Sequence, residues 1–287
     1  MKSLNAWLIV GLLLIATAAL LVTACGDDDD DDGAGMTGTL TFTANGEEFI
    51  REGFVDKTGW LISFDHFYIT LSGLTGIQVA EETDEQALTV AHAGHPHEDI
   101  PEGAAHVALD GVHTLDLTEG DGPQEVGSLA APAGNYNYAA FNMVQSEGDF
   151  FPGYSIVMQG VATKDSDAIA FTIKLNEQMT FTSCHQEVND EFAGVVDAGG
   201  NGTLETTFHS DHLFGDYEDL GNPEGVNPGA LGFQAFADLA AAGALEIDQD
   251  EMAAQMDPDD YATFVAALFT LGHSGEGHCN YNEYEAQ

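Results

Sequence analysis

Positive charge is the scarcest property of this chain. Five Lys and Arg stand against 49 Asp and Glu, a formal net charge of −44 over 287 residues. Nucleic acids and anionic membrane surfaces are gripped by clustered Lys and Arg, so both are excluded as partners. Divalent cations and basic proteins remain compatible, and a solvated acidic surface accounts for most of the charge. Cysteine is scarce too, at three residues. Catalytic signatures are missing: there is no His-Glu-x-x-His pair, no phosphate loop and no haem motif. The nearest approach to a hydrolase elbow is Gly272-His273-Ser274-Gly275-Glu276. It has Glu276 where the last Gly belongs, and a helical pattern precedes it where the elbow needs a strand. The chain is therefore not expected to be an enzyme.

What is present starts with an address. One Lys and an apolar run from Trp7 to Ala24 lead to Val22-Thr23-Ala24-Cys25, which resembles a bacterial lipobox. This predicts a signal peptide over 1–24 and lipidation of Cys25, with the membrane reached through a lipid anchor. Residues 25–36 carry Asp27 to Asp32, whose mutual repulsion predicts an acidic, disordered tether. The expected location is the periplasm or the cell surface. Gly26, and not Asp, follows the cysteine, which points to the outer membrane. In that oxidising setting the two remaining cysteines, Cys184 and Cys279, are expected to pair.

From 37 to 212 the texture is short and strand-like. TGTLTFTANGEEFIREGF alternates around Asn45-Gly46 and reads as a hairpin. WLISFDHFYITLSG is apolar on both faces and reads as a central strand, while Lys164 to Asp167 reads as another hairpin turn. Many short strands between turn signals predict a mainly β fold, a β-sandwich of immunoglobulin-like or related type. From 213 to 287 helical spacing takes over, with Asp257-Pro258 as a helix start. This predicts a C-terminal helical annex tied back to the sandwich. Within it, Asp238 to Gln249 resembles a degenerate calcium hand, with Ala240, Ala242 and Gln249 where ligands belong.

Eleven histidines supply the candidate chemistry. His209, Asp211 and His212 crowd a strand end, and His273 and His278 sit in a glycine-rich loop before Cys279. Either segment alone has too few imidazoles for a tight site. If Cys279 reaches Cys184, the returning chain can bring the two segments together, giving a site for Zn or Cu made of nitrogen and oxygen donors. His66 and Asp65 are possible supplements; neighbours on a strand face opposite ways, so at most one of them serves a given site. HAGHPHED, with His92, His95 and His97, reads as an exposed accessory capture loop. Trp60 is expected to be a core aromatic.

GWLISFDHFYITLSG, HTLDLTEGDGPQEVGSLAAPAGNYNYAAFNMV, TTFHSDHLFGDYEDL and LGHSGEGHC together resemble a group of uncharacterised bacterial lipoproteins. More remotely, they are similar to periplasmic copper-binding β-sandwich proteins encoded near methanobactin genes. That resemblance implies copper as the metal and a periplasmic redox or metal-transport protein as partner, of the di-haem peroxidase-like kind. The copper proteins carry more cysteines than this chain. The expectation is thus a metal-binding envelope lipoprotein. The competing expectation is a β-sandwich interaction or envelope-scaffold lipoprotein with structural histidines and no metal.

Overall fold

The computed structural model describes residues 36–79, 104–148, 150–185, 194–218, 228–274 and 277–284. Cys25, the tether up to residue 35 and the His92, His95 and His97 loop lie outside the described residues. In chain order the first half comprises β1 (Thr37–Asn45), α1 (Glu47–Glu52), β2 (Phe54–Val55), β3 (Leu61–Gln78), β4 (Ala105–Asp116), β5 (Gln124–Pro132), β6 (Gly134–Asn135) and β7 (Tyr138–Met143). Then come β8 (Ile156–Lys164), β9 (Asp167–Leu175), β10 (Met179–His185), β11 (Val195–Val196), β12 (Asn201–Phe208) and α2 (Asp211–Phe214). The last part holds α3 (Gln234–Leu239), β13 (Ala244–Asp248), α4 (Gln249–Gln255), α5 (Pro258–Leu268), β14 (Gly272–Ser274), β15 (Gly277–His278) and β16 (Asn280–Glu283).

Among the described residues the fold is mainly β. A five-stranded sheet runs β15-β14-β12-β1-β5, and a nine-stranded sheet runs β13-β9-β8-β3-β7-β10-β16 with β2 and β4 also on β3. The apolar faces meet. Phe141 of β7 lies edge-on to Phe208 of β12 at 5.8 Å. At Gly76 of β3 a Cβ would come within 2.7 Å of Leu204 Cδ1 and 2.9 Å of Leu40 Cδ2, so a larger residue there would push these core leucines aside where the sheets approach. This is consistent with a β-sandwich. The parallel pairs β1–β12 and β13–β9 and the size of the larger sheet depart from the immunoglobulin pattern of smaller antiparallel sheets.

Several expectations hold. β3 is central, bonded to β4, β7 and β8. The β8–β9 hairpin closes Lys164 on Asp167, with Asp165 at φ 54. Asp257 caps α5 by accepting from the Asp259 N–H, with Pro258 in the first turn. Trp60 is buried, packs on Phe233 and donates Nε1–H to Gln234. The Cys184–Cys279 disulfide is present.

Others are corrected. Asn45-Gly46 makes no hairpin. β1 pairs with β12 and β5, and the chain enters α1 instead. Gly46 has φ −99, not the positive φ of a tight hairpin turn. The Asn45 side chain accepts from the Glu47 N–H at 2.9 Å and from Arg51 at 2.7 Å, which stabilises a turn into a helix. Residues 213–287 are not a purely helical annex either. Ala244–Asp248 alternates exposed and buried, and adds β13 to the nine-stranded sheet. Phe236, Met252 and Phe264 belong to the same core as both sheets. The degenerate calcium hand is thus a helix, a turn and a strand. Its Gln249 is buried and accepts from the backbone of Asn176 and Glu177, each at 2.9 Å. No helix of the described residues is long and apolar enough to cross a membrane.

Candidate metal centre

Strand pairing builds the site. β1 and β12 run parallel with Asn45 beside Thr207, so both chains leave the sheet at the same end. After β1 the Asn45 turn sets Glu47, at φ 55, and after β12 comes His209. Glu47 Oε2 lies 3.4 Å from His209 Nδ1. β14 pairs antiparallel with β12 and sets His273 opposite Thr207. Cross-strand neighbours project to one face, and so do residues two apart on a strand. His209 and His273 therefore converge, with ring centroids 4.3 Å apart.

The chain does not continue straight past His209. Ser210 adopts helical angles and opens α2, and the His212 N–H bonds back to the His209 carbonyl at 3.2 Å. This turn swings the His212 ring beside that of His209, at 5.2 Å and 24°. It also leaves Asp211 Oδ1 3.9 Å from His209 Nδ1. His212 and His273 are 5.0 Å apart. Three imidazoles from distant segments thus pack together, His209 stacked on His212 and His212 edge-on to His273.

The residue that orients two of them is Thr270. It follows α5, where its N–H and hydroxyl both bond the Ala267 carbonyl. Its own carbonyl lies 2.6 Å from His212 Nδ1 and 3.2 Å from His273 Nε2. A carbonyl only accepts, so both nitrogens carry hydrogen. In the neutral rings the lone pairs then fall on His212 Nε2 and His273 Nδ1. Fixing a tautomer through an outer carbonyl is how proteins prepare imidazoles for metal. The end of a helix, where carbonyls concentrate negative charge, suits these N–H donors.

His273, His212 and Asp211 are 4%, 6% and 9% exposed. Glu47, at 26%, is the more open carboxylate and lines a surface depression with Asn45 and Arg51. One ligand atom each from His209, Asp211 and His212 lie within 4.8 Å of one another. Zn binds such donors at about 2.0–2.2 Å, so a modest inward rotation would close them on an ion. Nitrogen and carboxylate donors suit Zn(II) or Cu(II) better than Cu(I), which favours sulfur. The cysteines offer no thiolate while bridged.

Of the other expected residues, His278 stands opposite His273 in the β14–β15 register, and its side chain lies outside the described residues. Asp65 and His66 are placed on β3 of the nine-stranded sheet, in a different sheet from His273. His66 Nδ1 is 2.6 Å from Asp116 Oδ2, and its ring stacks on Tyr68. A bulge in the β3–β8 pairing makes Asp65 the extra residue between Phe64 and His66. Both neighbours consequently line one depression, contrary to the alternation expected of a regular strand. Asp116 is buried, which alone would raise its pKa. Hydrogen bonds from His66, from the Phe67 N–H and from Thr118 outweigh this and hold the carboxyl below its ordinary value.

Sequence reasoning missed Glu47 and Thr270. A Glu after an Asn-Gly turn carries no mark of its partner, and a carbonyl acceptor has no sequence signature. No protein-family model matches the chain, and no curated protein or solved structure matches it.

Proposed function

We propose that this protein is a lipid-anchored envelope protein that binds a transition metal, Zn(II) or Cu(II). In this reading His209, His212 and His273 are ligands, Asp211 is a fourth donor, and Glu47 accepts from the His209 ring or joins the ion. His278, next to the disulfide, is a further candidate. One observation carries the reading: three imidazoles from distant segments meet beside two carboxylates, and one carbonyl fixes the tautomers of two of them. The remote resemblance to copper-binding proteins favours copper and a periplasmic redox or metal-transport partner. The lipid anchor rests on the Cys25 motif.

Calorimetric titration of the purified full chain with Zn(II) and with Cu(II) tests the site. One tightly held ion per chain is expected. The pair His209→Ala with His273→Ala should abolish it, while deleting residues 92–97 should remove only weak uptake. Unchanged tight binding in the double variant would sink the assignment. Cys25→Ala should shift the protein out of the membrane fraction or leave an unprocessed precursor; normal processing and attachment would refute the anchor.

A second reading has its own support. Because His212 and His273 both bond the Thr270 carbonyl, the histidines also clasp the end of α5 to the five-stranded sheet. If titration finds no stoichiometric ion, a scaffold or interaction role with structural histidines is the better account.

A further inference from the structure

A second site is suggested by the opposite sheet. Two depressions adjoin on the solvent side of β3, β8 and β9. One is lined by residues that include Asp65, His66 and Gln159, the other by Phe150, Tyr154 and Lys174 among others. Gln159 and Thr172 border both, so the two adjoin across these side chains as one shallow groove.

An aromatic wall borders this groove. Tyr68 meets Phe150 edge-on at 4.7 Å, Phe150 meets Phe151 at 5.0 Å, and the His66 ring stacks on Tyr68 at 17°. Phe150 is 51% exposed, a large apolar ring held in water. Phe151 has φ 49, a left-handed conformation that a non-glycine residue adopts at a cost. The bulge at Asp65 is a second local departure from regular geometry on the same face, of the kind that re-aims side chains beside sites.

The lining narrows the ligand class. β8 is bonded on both sides, by β3 and β9, and β9 by β8 and β13. The floor of the groove therefore offers no open edge for a peptide to join as a strand. An anion would meet the carboxylates of Asp65 and Glu246, and Lys174, the cation of the lining, already lies 2.9 Å from Glu246. A neutral ligand with an apolar face and a rim of hydroxyls matches what remains. C–H groups would pack on Phe150. Hydroxyls would meet Asp65 as an acceptor, and Gln159 and Thr172 as both donors and acceptors. We propose that this groove binds a neutral oligosaccharide of pyranose units, independently of the metal centre.

Native gel electrophoresis of the full chain through gels containing dextran, hydroxyethylcellulose, xylan or galactomannan tests this. Retardation is expected in at least one polymer, unaltered by a chelator. Phe150→Ala should weaken it about tenfold, the scale of a lost aromatic contact, with an unchanged thermal midpoint. Asp65→Ala should weaken it as well. Free migration of the unaltered protein in all four polymers overturns the proposal. So does retardation that survives both substitutions, or that the chelator removes.

Discussion

Among the described residues two places set an imidazole beside a carboxylate, and they differ in burial and in the number of rings they hold. His66 and Asp116 form a short pair whose histidine is 47% exposed and whose carboxylate is already engaged by Phe67 and Thr118. The His209 cluster is buried, holds three rings, and draws its members from the residue after β12, from α2 and from β14, with Glu47 from α1. Pairing of two neighbouring strands, β3 and β4, made the first arrangement across 50 residues of sequence. Strand pairing across the whole chain made the second. The His66–Asp116 contact joins one ring to one carboxylate, whereas in the cluster one carbonyl orients two of three converging rings.

The largest expected effect separates the two places by ligand linkage. Zn(II) at 100 to 1,000 times its dissociation constant should stabilise the protein by about 2.7–4.1 kcal/mol. Thermal unfolding should show this shift lost in His273→Ala and kept in His66→Ala. A shift surviving in the former, or vanishing in the latter, would break the contrast. Protons compete with metal for imidazole nitrogen, so the shift should also shrink as pH falls below neutrality.

Reduction of Cys184–Cys279 should cost about 2–5 kcal/mol and strike the cluster first. Hydrogen exchange in the reduced protein should rise in β14 and β16 before β3. Equal rises would mean that the bridge does not hold the cluster in particular.

Asp116→Asn should destabilise by about 1–3 kcal/mol, because a buried acceptor of several hydrogen bonds is altered. The folded-state pKa of Asp116 is depressed, so its contribution is present above its unfolded value of about 3.9. It is lost as pH falls through the lower folded value. Denaturant midpoints for wild type and Asp116→Asn should therefore differ at neutral pH and converge in strong acid. The smallest effect belongs to His66→Ala, at most about 1 kcal/mol, as for exposed pairs; a larger loss would show that this pair too is structurally central.

Strand character was legible from short apolar and alternating runs between turn signals, as in β8 and β9, and in β3 from apolar residues on both faces. The disulfide was legible from cysteine number and the expected compartment, and with it the meeting of the His209 and His273 segments. Asn45-Gly46 was misread because the same dipeptide serves a hairpin and a turn into a helix. The choice rests on a β1 partner about as far away as Glu205, 160 residues from Asn45, which no local pattern reports. β13 was hidden inside alanine-rich sequence of helical composition, where edge pairing with β9 overrode propensity. Glu47 and Thr270 act through backbone placement and a carbonyl, and neither leaves a trace in residue type.

The parallel pairing of β1 with β12 has a kinetic consequence. Closing a loop of this length before any contact rewards it is an entropic barrier, and topologies rich in such contacts fold slowly. Glu47 and His209 sit just beyond the ends of that pair, and His273 arrives only when β14 docks on β12. The cluster therefore matures late, after nearly all of the polypeptide has emerged from synthesis. An ion caught there would act as a latch on the finished topology and slow its unfolding, while adding little to the rate of reaching it.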